Sequence, residues 1–119
     1  MDQRAGKRYR LRKRGDIDRV FREGRRKTDG CLTLLAVPNG LAWSRAGVGV
    51  SKRHGGAVRR NRVKRLCREA FRTAREELPV GVDYMVIPRP GAELTFERIR
   101  DSLRRLARRV CDGTREASE

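Results

Sequence analysis

The sequence predicts an α+β domain in which helices cover one small sheet. Three observations carry that expectation. Residues 58–78 contain no Gly or Pro and are rich in Arg, Leu, Ala and Glu, all strong helix formers. Short apolar runs with β-branched members, at 31–37, 45–51 and 82–87, are bounded by turn residues, as strands are. Two further stretches, 15–23 and 95–111, repeat apolar residues at helical spacing. The expected architecture is a two-layer sandwich, a small mixed sheet packed by a long central helix.

Residues 1–14 are a basic N-terminal arm, densest at KRYRLRKR, with too few apolar groups to fold alone; Tyr9 and Leu11 are expected to pack its end down. The first helix, 15–23, places Ile17, Val20 and Phe21 at i, i+3 and i+4. It carries Asp16 and Asp18 in its first turn and is stopped by Gly24. The strand at 31–37 runs into the turn signal Pro38-Asn39-Gly40. The next, at 45–51, follows with 41–43 extending one or the other, so a meander of antiparallel strands is expected. Gly47 and Gly49 lower strand propensity but let a backbone or ligand approach closely. Gly47-Val48-Gly49 does not begin a dinucleotide fingerprint, because Lys52 stands where the third Gly belongs. The basic turn 52–56 leads into the long helix and offers a seat for phosphate.

Pro79 and Gly81 break the long helix, and Pro88 and Pro90 close the strand at 82–87. Thr95 then provides an N-cap and Glu97 a first-turn acid, with Leu94 and Ile99 as a hydrophobic staple. Phe96, Ile99, Leu103, Leu106 and Val110 follow on one face, and the helix is expected to end near Cys111. The domain is therefore 15–111, with a frayed tail at 112–119.

Spaced 100° apart, Val63, Leu66, Cys67, Ala70, Phe71, Ala74 and Leu78 form an apolar arc of roughly 140° on the long helix. Asn61, Lys64, Arg65, Arg68, Arg72 and Arg75 gather within about 100° on another side. A charged helix face is ordinarily solvated and laced by i,i+4 pairs, which need both signs. Arg59, Arg60, Arg62, Lys64, Arg65 and Arg68 succeed one another without an acid. So much like charge is destabilising unless a polyanion neutralises it.

The composition agrees. Lys+Arg 31 against Asp+Glu 15 gives a net charge of +16 and a pI near 11.4 in 119 residues, the signature of a nucleic-acid partner. A membrane surface fits poorly with six aromatic residues, and no apolar run is long enough to span one. The N-terminus has no signal-peptide core, which favours the cytoplasm. Cys31, Cys67 and Cys111 have neither disulfide-framework nor zinc spacing. His54 is the only histidine, which removes a histidine-based metal cage and argues against a Ser-His-Asp or two-histidine nuclease site. No catalytic residue and no metal ligand is therefore assigned to this chain.

Residues Ser51, Lys52, Arg53, Gly55, Ala57, Val58, Arg60, Asn61, Arg62, Lys64, Arg65, Arg68, Glu69, Phe71 and Arg72 occur in the order of the bacterial ribonuclease P protein signature. The sequence resembles that family also at LRKRGDIDRVF, Arg45-x-Gly47, VDYMVIP and LTFE. The resemblance implies an αβββαβα order with a left-handed βαβ crossover. It implies binding of a large catalytic RNA by Arg59, Arg60, Asn61, Arg62, Lys64, Arg65, Arg68 and Arg72. It further implies that the 5′ leader of precursor tRNA lies in a cleft formed by Ile17, Phe21, Leu35, Ser51, Lys52 and Arg53. The family usually has an aromatic at the position of Ile17, and some members have one at Leu35. In the family the RNA with bound Mg²⁺ performs the hydrolysis. The implied partners are ribonuclease P RNA, in a 1:1 complex, and precursor tRNA, with no DNA and no membrane. The competing readings are an RNA-binding assembly protein without a catalytic role, and an autonomous nuclease using Asp16, Asp18 or Glu69 with Mg²⁺.

Overall fold

In the computed structural model the described residues are 7–117, with side chains described for 7–111. The elements are α1 (Arg14–Glu23), β1 (Arg25–Thr28), β2 (Leu32–Pro38), β3 (Arg45–Val48), α2 (Ala57–Ala74), β4 (Val82–Pro88) and α3 (Phe96–Ala117). Short 3-10 turns, Lys52–His54 and Arg75–Glu77, flank α2. The order is αβββαβα around one mixed sheet.

The sheet is arranged β1-β2-β4-β3, antiparallel except for the parallel β3–β4 pair. This corrects the expected meander, because β2 and β3 are not neighbours. Strand β4 lies between them, pairing Leu32↔Pro88 through Pro38↔Val82 on one side and Arg45↔Asp83 through Val48↔Val86 on the other. Its sequence VDYMVIP is, but for Asp83, apolar at both alternations and almost wholly buried, the pattern of a strand covered on both faces, so it takes a central place. The Gly-containing β3, four residues long, takes an outer one. Strand β1 escaped the sequence reading altogether. Its residues Arg25, Arg26, Lys27 and Thr28 are all exposed and have no hydrophobic period, and charge of this kind is what protects an edge strand from further pairing.

Alternation divides the sheet into two faces. Leu32, Leu34, Ala36, Tyr84 and Val86 meet Val63, Cys67, Ala70, Phe71 and Ala74 of α2 and Ile99, Leu103, Leu106 and Val110 of α3 in the main core. Phe71 and Tyr84 pack edge to face with centroids 6.2 Å apart. Leu35, Val37 and Met85 point the other way and form a smaller core with Val20 of α1 and Leu11, with Ile17 and Ile87 at its margin.

The helix ends follow local rules. Thr95 Oγ1 accepts from the Arg98 N–H at 3.2 Å, completing the expected N-cap. Helix α2 stops at Ala74 and continues as a 3-10 turn to Glu77. Helix α3 runs to Ala117, past the end expected near Cys111. An interior glycine such as Gly113 costs a helix only about 1 kcal/mol and does not break it as proline would.

The expected arm is docked over the part that the structure describes; residues 1–6 lie outside it. The Ala46 N–H donates to the Tyr9 carbonyl at 2.9 Å, and the Leu11 N–H to the Ala46 carbonyl at 3.0 Å, so the segment runs beside β3. Leu11 is buried. Gly47 permits the approach: a Cβ there would lie 2.7 Å from Met85 Sδ and 3.3 Å from the Leu11 carbonyl oxygen. Among the described residues no helix is long and apolar enough to cross a membrane.

Candidate nucleic-acid interface

Helix α2 begins without a capping side chain and without an acid in its first turn, so its N-terminal N–H groups and positive dipole end add to the surrounding cations. Arg59, Asn61, Arg62, Arg65 and Arg68 are exposed. Arg60 is not on the outer face. It continues the buried stripe of Val63, Cys67 and Ala74 toward the helix start and is half-buried, with its Nε shielded from solvent and without a hydrogen-bond partner. Lys64 is half-buried at the margin of the same stripe. The acid-free run therefore encircles the first three turns rather than lining one face.

Farther along the helix the charges are engaged. Arg72 is exposed but forms an ion pair with Glu69, its Nε–H reaching Glu69 Oε2 at 3.2 Å, and this bond holds the Glu69 carboxyl below the usual range. Arg72 is thus partly neutralised before any ligand arrives. The guanidinium of Arg75, counted with the outer arc in the sequence, instead stacks 3.5 Å from the Tyr9 ring centroid.

A turn built by Ser51 and His54 presents Lys52 and Arg53. Ser51 Oγ accepts from the Arg53 N–H at 3.3 Å, and His54 Nδ1 from the Ser51 N–H at 3.3 Å. His54 Nε2 lies 2.8 Å from the Pro88 carbonyl oxygen, an acceptor, which assigns the ring proton to Nε2. The buried histidine thereby ties the turn to the end of β4. Gly55 follows at φ +115°, a conformation suited to glycine. Lys52 and Arg53 remain exposed, while the Ser51 hydroxyl is occupied within the turn. This arrangement was missed because histidine stands where a capping box has Glu or Gln.

The second sheet face is only partly covered by α1. Strand register aligns Arg26, Leu35, Met85 and Gly47 in one row, and Thr28, Thr33 and Ile87 in the next. Helix α1 packs over the first row. Leu35 is only 1% exposed there, which corrects its place among the cleft contacts: it belongs to the core beneath the helix. Ile17 is also partly buried in this core. Thr33 and Ile87 in the second row are half-buried, and the Thr28 and Thr33 hydroxyls are 2.9 Å apart in a hydrogen bond. Phe21 on α1 is 47% exposed, an aromatic ring left in solvent next to Val20, the one buried residue of the helix. Arg26, Thr28, Thr33 and Ile87 were not legible as a group, since their grouping requires knowing β1 and its register.

Other chemistry is sparse in the described residues. No three His, Cys, Asp or Glu side chains gather as a metal site. Asp16 lies 3.5 Å from Arg45, and Glu69 is held by Arg72. Burial pushes the Cys67 thiol up to about 12, and burial likewise raises Cys31, so both are poor nucleophiles.

Comparison with known proteins gives a single answer. The Ribonuclease P family model matches residues 6–111. The ribonuclease P protein component of Brevibacillus brevis is 42% identical over 104 residues, covering 86% of this chain and 82% of that protein. The protein of the same name from Thermotoga maritima is 38% identical over 109 residues, covering 87% and 93%. The solved RNase P protein from Thermotoga maritima superimposes with a TM-score of 0.76 at 36% identity, over 85% of this chain and 96% of that one. That from Staphylococcus aureus gives 0.73 at 30% identity, over 87% and 94%. This chain, with its four-stranded mixed sheet and arginine-ringed helix, belongs to the ribonuclease P protein family.

Proposed function

We propose that this protein is the protein subunit of a ribonucleoprotein endonuclease that removes the 5′ leader of precursor tRNA. The observation that carries the reading is the start of α2, where Arg59, Arg60, Arg62, Lys64, Arg65 and Arg68 encircle an uncapped helix end without an acid. Such a surface neutralises phosphates, and Asn61 can hydrogen-bond a base edge or a ribose hydroxyl. The groove beside α1 takes the single-stranded leader, with Phe21 as a stacking surface and Lys52 and Arg53 at the phosphates.

The described carboxylates do not fit a Mg²⁺ site: no three donors converge among them, and Asp16 and Glu69 already face arginines. We therefore place Mg²⁺ with the RNA, and the phosphodiester chemistry there too. The protein's part is to bind, orient and lower the repulsion between two polyanions.

The test is cleavage of a 5′-extended precursor tRNA at low Mg²⁺ by the ribonuclease P RNA of the same source, with and without the protein, beside a protein-only reaction. Stimulation requiring both partners is the expected result. Binding to RNA with no change in the cleavage rate assigns an assembly role instead, and cleavage by the protein alone overturns both.

A further inference from the structure

Arg10 and Arg68 come from distant parts of the chain, and the docking of the N-terminal segment beside β3 and against Arg75 brings their two elements together. A ladder of alternating rings and guanidinium groups fixes the N-terminal segment. The Arg8 guanidinium lies 4.2 Å from the Trp43 ring centroid and 5.5 Å from that of Tyr9, and Arg75 covers Tyr9 at 3.5 Å. Trp43 Nε1–H donates to the Arg8 carbonyl at 2.8 Å. The Ala46 N–H donating to the Tyr9 carbonyl, and the Leu11 N–H to the Ala46 carbonyl, then fix the backbone on both sides of Arg10. Arg68 precedes Arg75 by seven residues and so lies on the same stripe of α2. Anchoring Arg75 on Tyr9 sets the segment that carries Arg10 against this stripe, with Arg68 about two turns along it. Burial, and after it the charge of Arg10, lowers the pKa of the Arg68 guanidinium.

Nothing in the fold requires the proximity. The ladder and the strand-like hydrogen bonds hold the segment without Arg10, and neither Arg10 nor Arg68 forms an ion pair among the described residues. Two guanidinium groups held together repel, and the repulsion is relieved by an oxyanion that presents oxygens to both forks, as a phosphodiester does.

We propose that Arg10 and Arg68 clamp one phosphodiester of the RNA lying along α2, so that the docked N-terminal segment carries the helix surface across the β3 edge. The inference rests on the RNA-binding reading above. A single shared phosphate makes a distinct demand: the two arginines must act as a unit.

The test is a double-mutant cycle on the full chain, with binding to ribonuclease P RNA measured across a salt series. Arg10→Gln and Arg68→Gln are each expected to weaken binding roughly tenfold, and the double variant by at least about threefold less than the product. Arg12, exposed on the same segment, is the comparison: losses in Arg12→Gln and Arg68→Gln should multiply. Trp43→Leu, which removes the ladder's first ring, should weaken binding in the parent chain and not further in Arg10→Gln. Melting temperatures should not fall in the arginine variants, since a repulsion is removed. Multiplicative losses for Arg10 and Arg68, or an unaffected Arg10→Gln, overturn the clamp while leaving the RNA-binding reading intact. Absence of salt-dependent binding by the parent chain overturns both.

Discussion

Arg45 meets Asp83 through two parallel hydrogen bonds, Nε to Oδ1 at 2.9 Å and Nη2 to Oδ2 at 2.7 Å, with Asp83 1% exposed in the central strand. Asn39 Nδ2 donates to the same Oδ1 at 2.8 Å, and Arg45 Nη1 continues to Asp16 on α1 at 3.5 Å. One guanidinium therefore joins β3, β4 and α1. Arg45→Ala leaves a buried carboxylate with Asn39 as its remaining side-chain donor and should destabilise the fold by about 3 kcal/mol. Urea unfolding measures the loss. A change under about 1 kcal/mol would show that the pair is not needed to hold this corner.

Asp29 at the β1–β2 turn makes stability depend on acid. Burial alone would raise its pKa, but N–H donors of Leu32 and Cys31, with Ser102 and Arg105, outweigh it and lower the value from 3.8 to about 2. A depressed carboxylate stabilises the fold fully above its unfolded pKa and loses that contribution as pH falls from there through about 2. The shift corresponds to about 2 kcal/mol. The stability difference between the parent chain and Asp29→Asn should therefore narrow by about that amount between roughly pH 6 and pH 2. A difference independent of pH would contradict the assigned donors.

Gly47 should not tolerate a methyl group. Alanine there would press on Met85 Sδ and the Leu11 backbone, at a cost of about 1–3 kcal/mol, read from the denaturation midpoint. Gly49, whose added Cβ would meet its nearest atoms at ordinary contact distance, 3.7 Å, is the comparison and should lose less.

Arg65 stands exposed on the outer face of α2. Arg65→Ala should weaken binding to ribonuclease P RNA and reduce the slope of log K against log salt by about 0.7 to 0.9, one phosphate's share. An unchanged slope would remove Arg65 from the phosphate contacts.

Phe21→Ala should leave the fold nearly unaltered, because the ring is already 47% exposed. Binding of a leader-bearing precursor should fall roughly tenfold, and binding of mature tRNA should not change. Equal losses for both RNAs would place Phe21 outside the leader groove.

How far the sequence could be read depended on what each element buries. The α2 stripe was legible because Val63, Cys67, Ala70, Phe71 and Ala74 repeat with the helical period and all reach the core. Strand β1 had no such signal, since an edge of Arg, Arg, Lys and Thr buries nothing. Alternation shows which face a strand residue takes but not which strand is beside it, so the position of β4 between β2 and β3 could not be read. At the interface, Phe21 was visible as an aromatic on a short helix. The burial of Leu35 was hidden because it depends on α1 lying over β2. Arg60 lay outside the outer arc in the sequence, and its spacing from Val63 and Cys67 accounts for its half-buried place on the inner stripe.

The central place of β4 also affects the chain's synthesis. Leu32 waits for Pro88, and Val48 for Val86, so both inner strand edges stay open until residues 82–88 have left the ribosome. During that interval the nascent segment carries the uncompensated cations of α2, whose mutual repulsion disfavours pairing of one unfinished sheet with another. The same charge thus disfavours association of the late-closing sheet before β4 is in place.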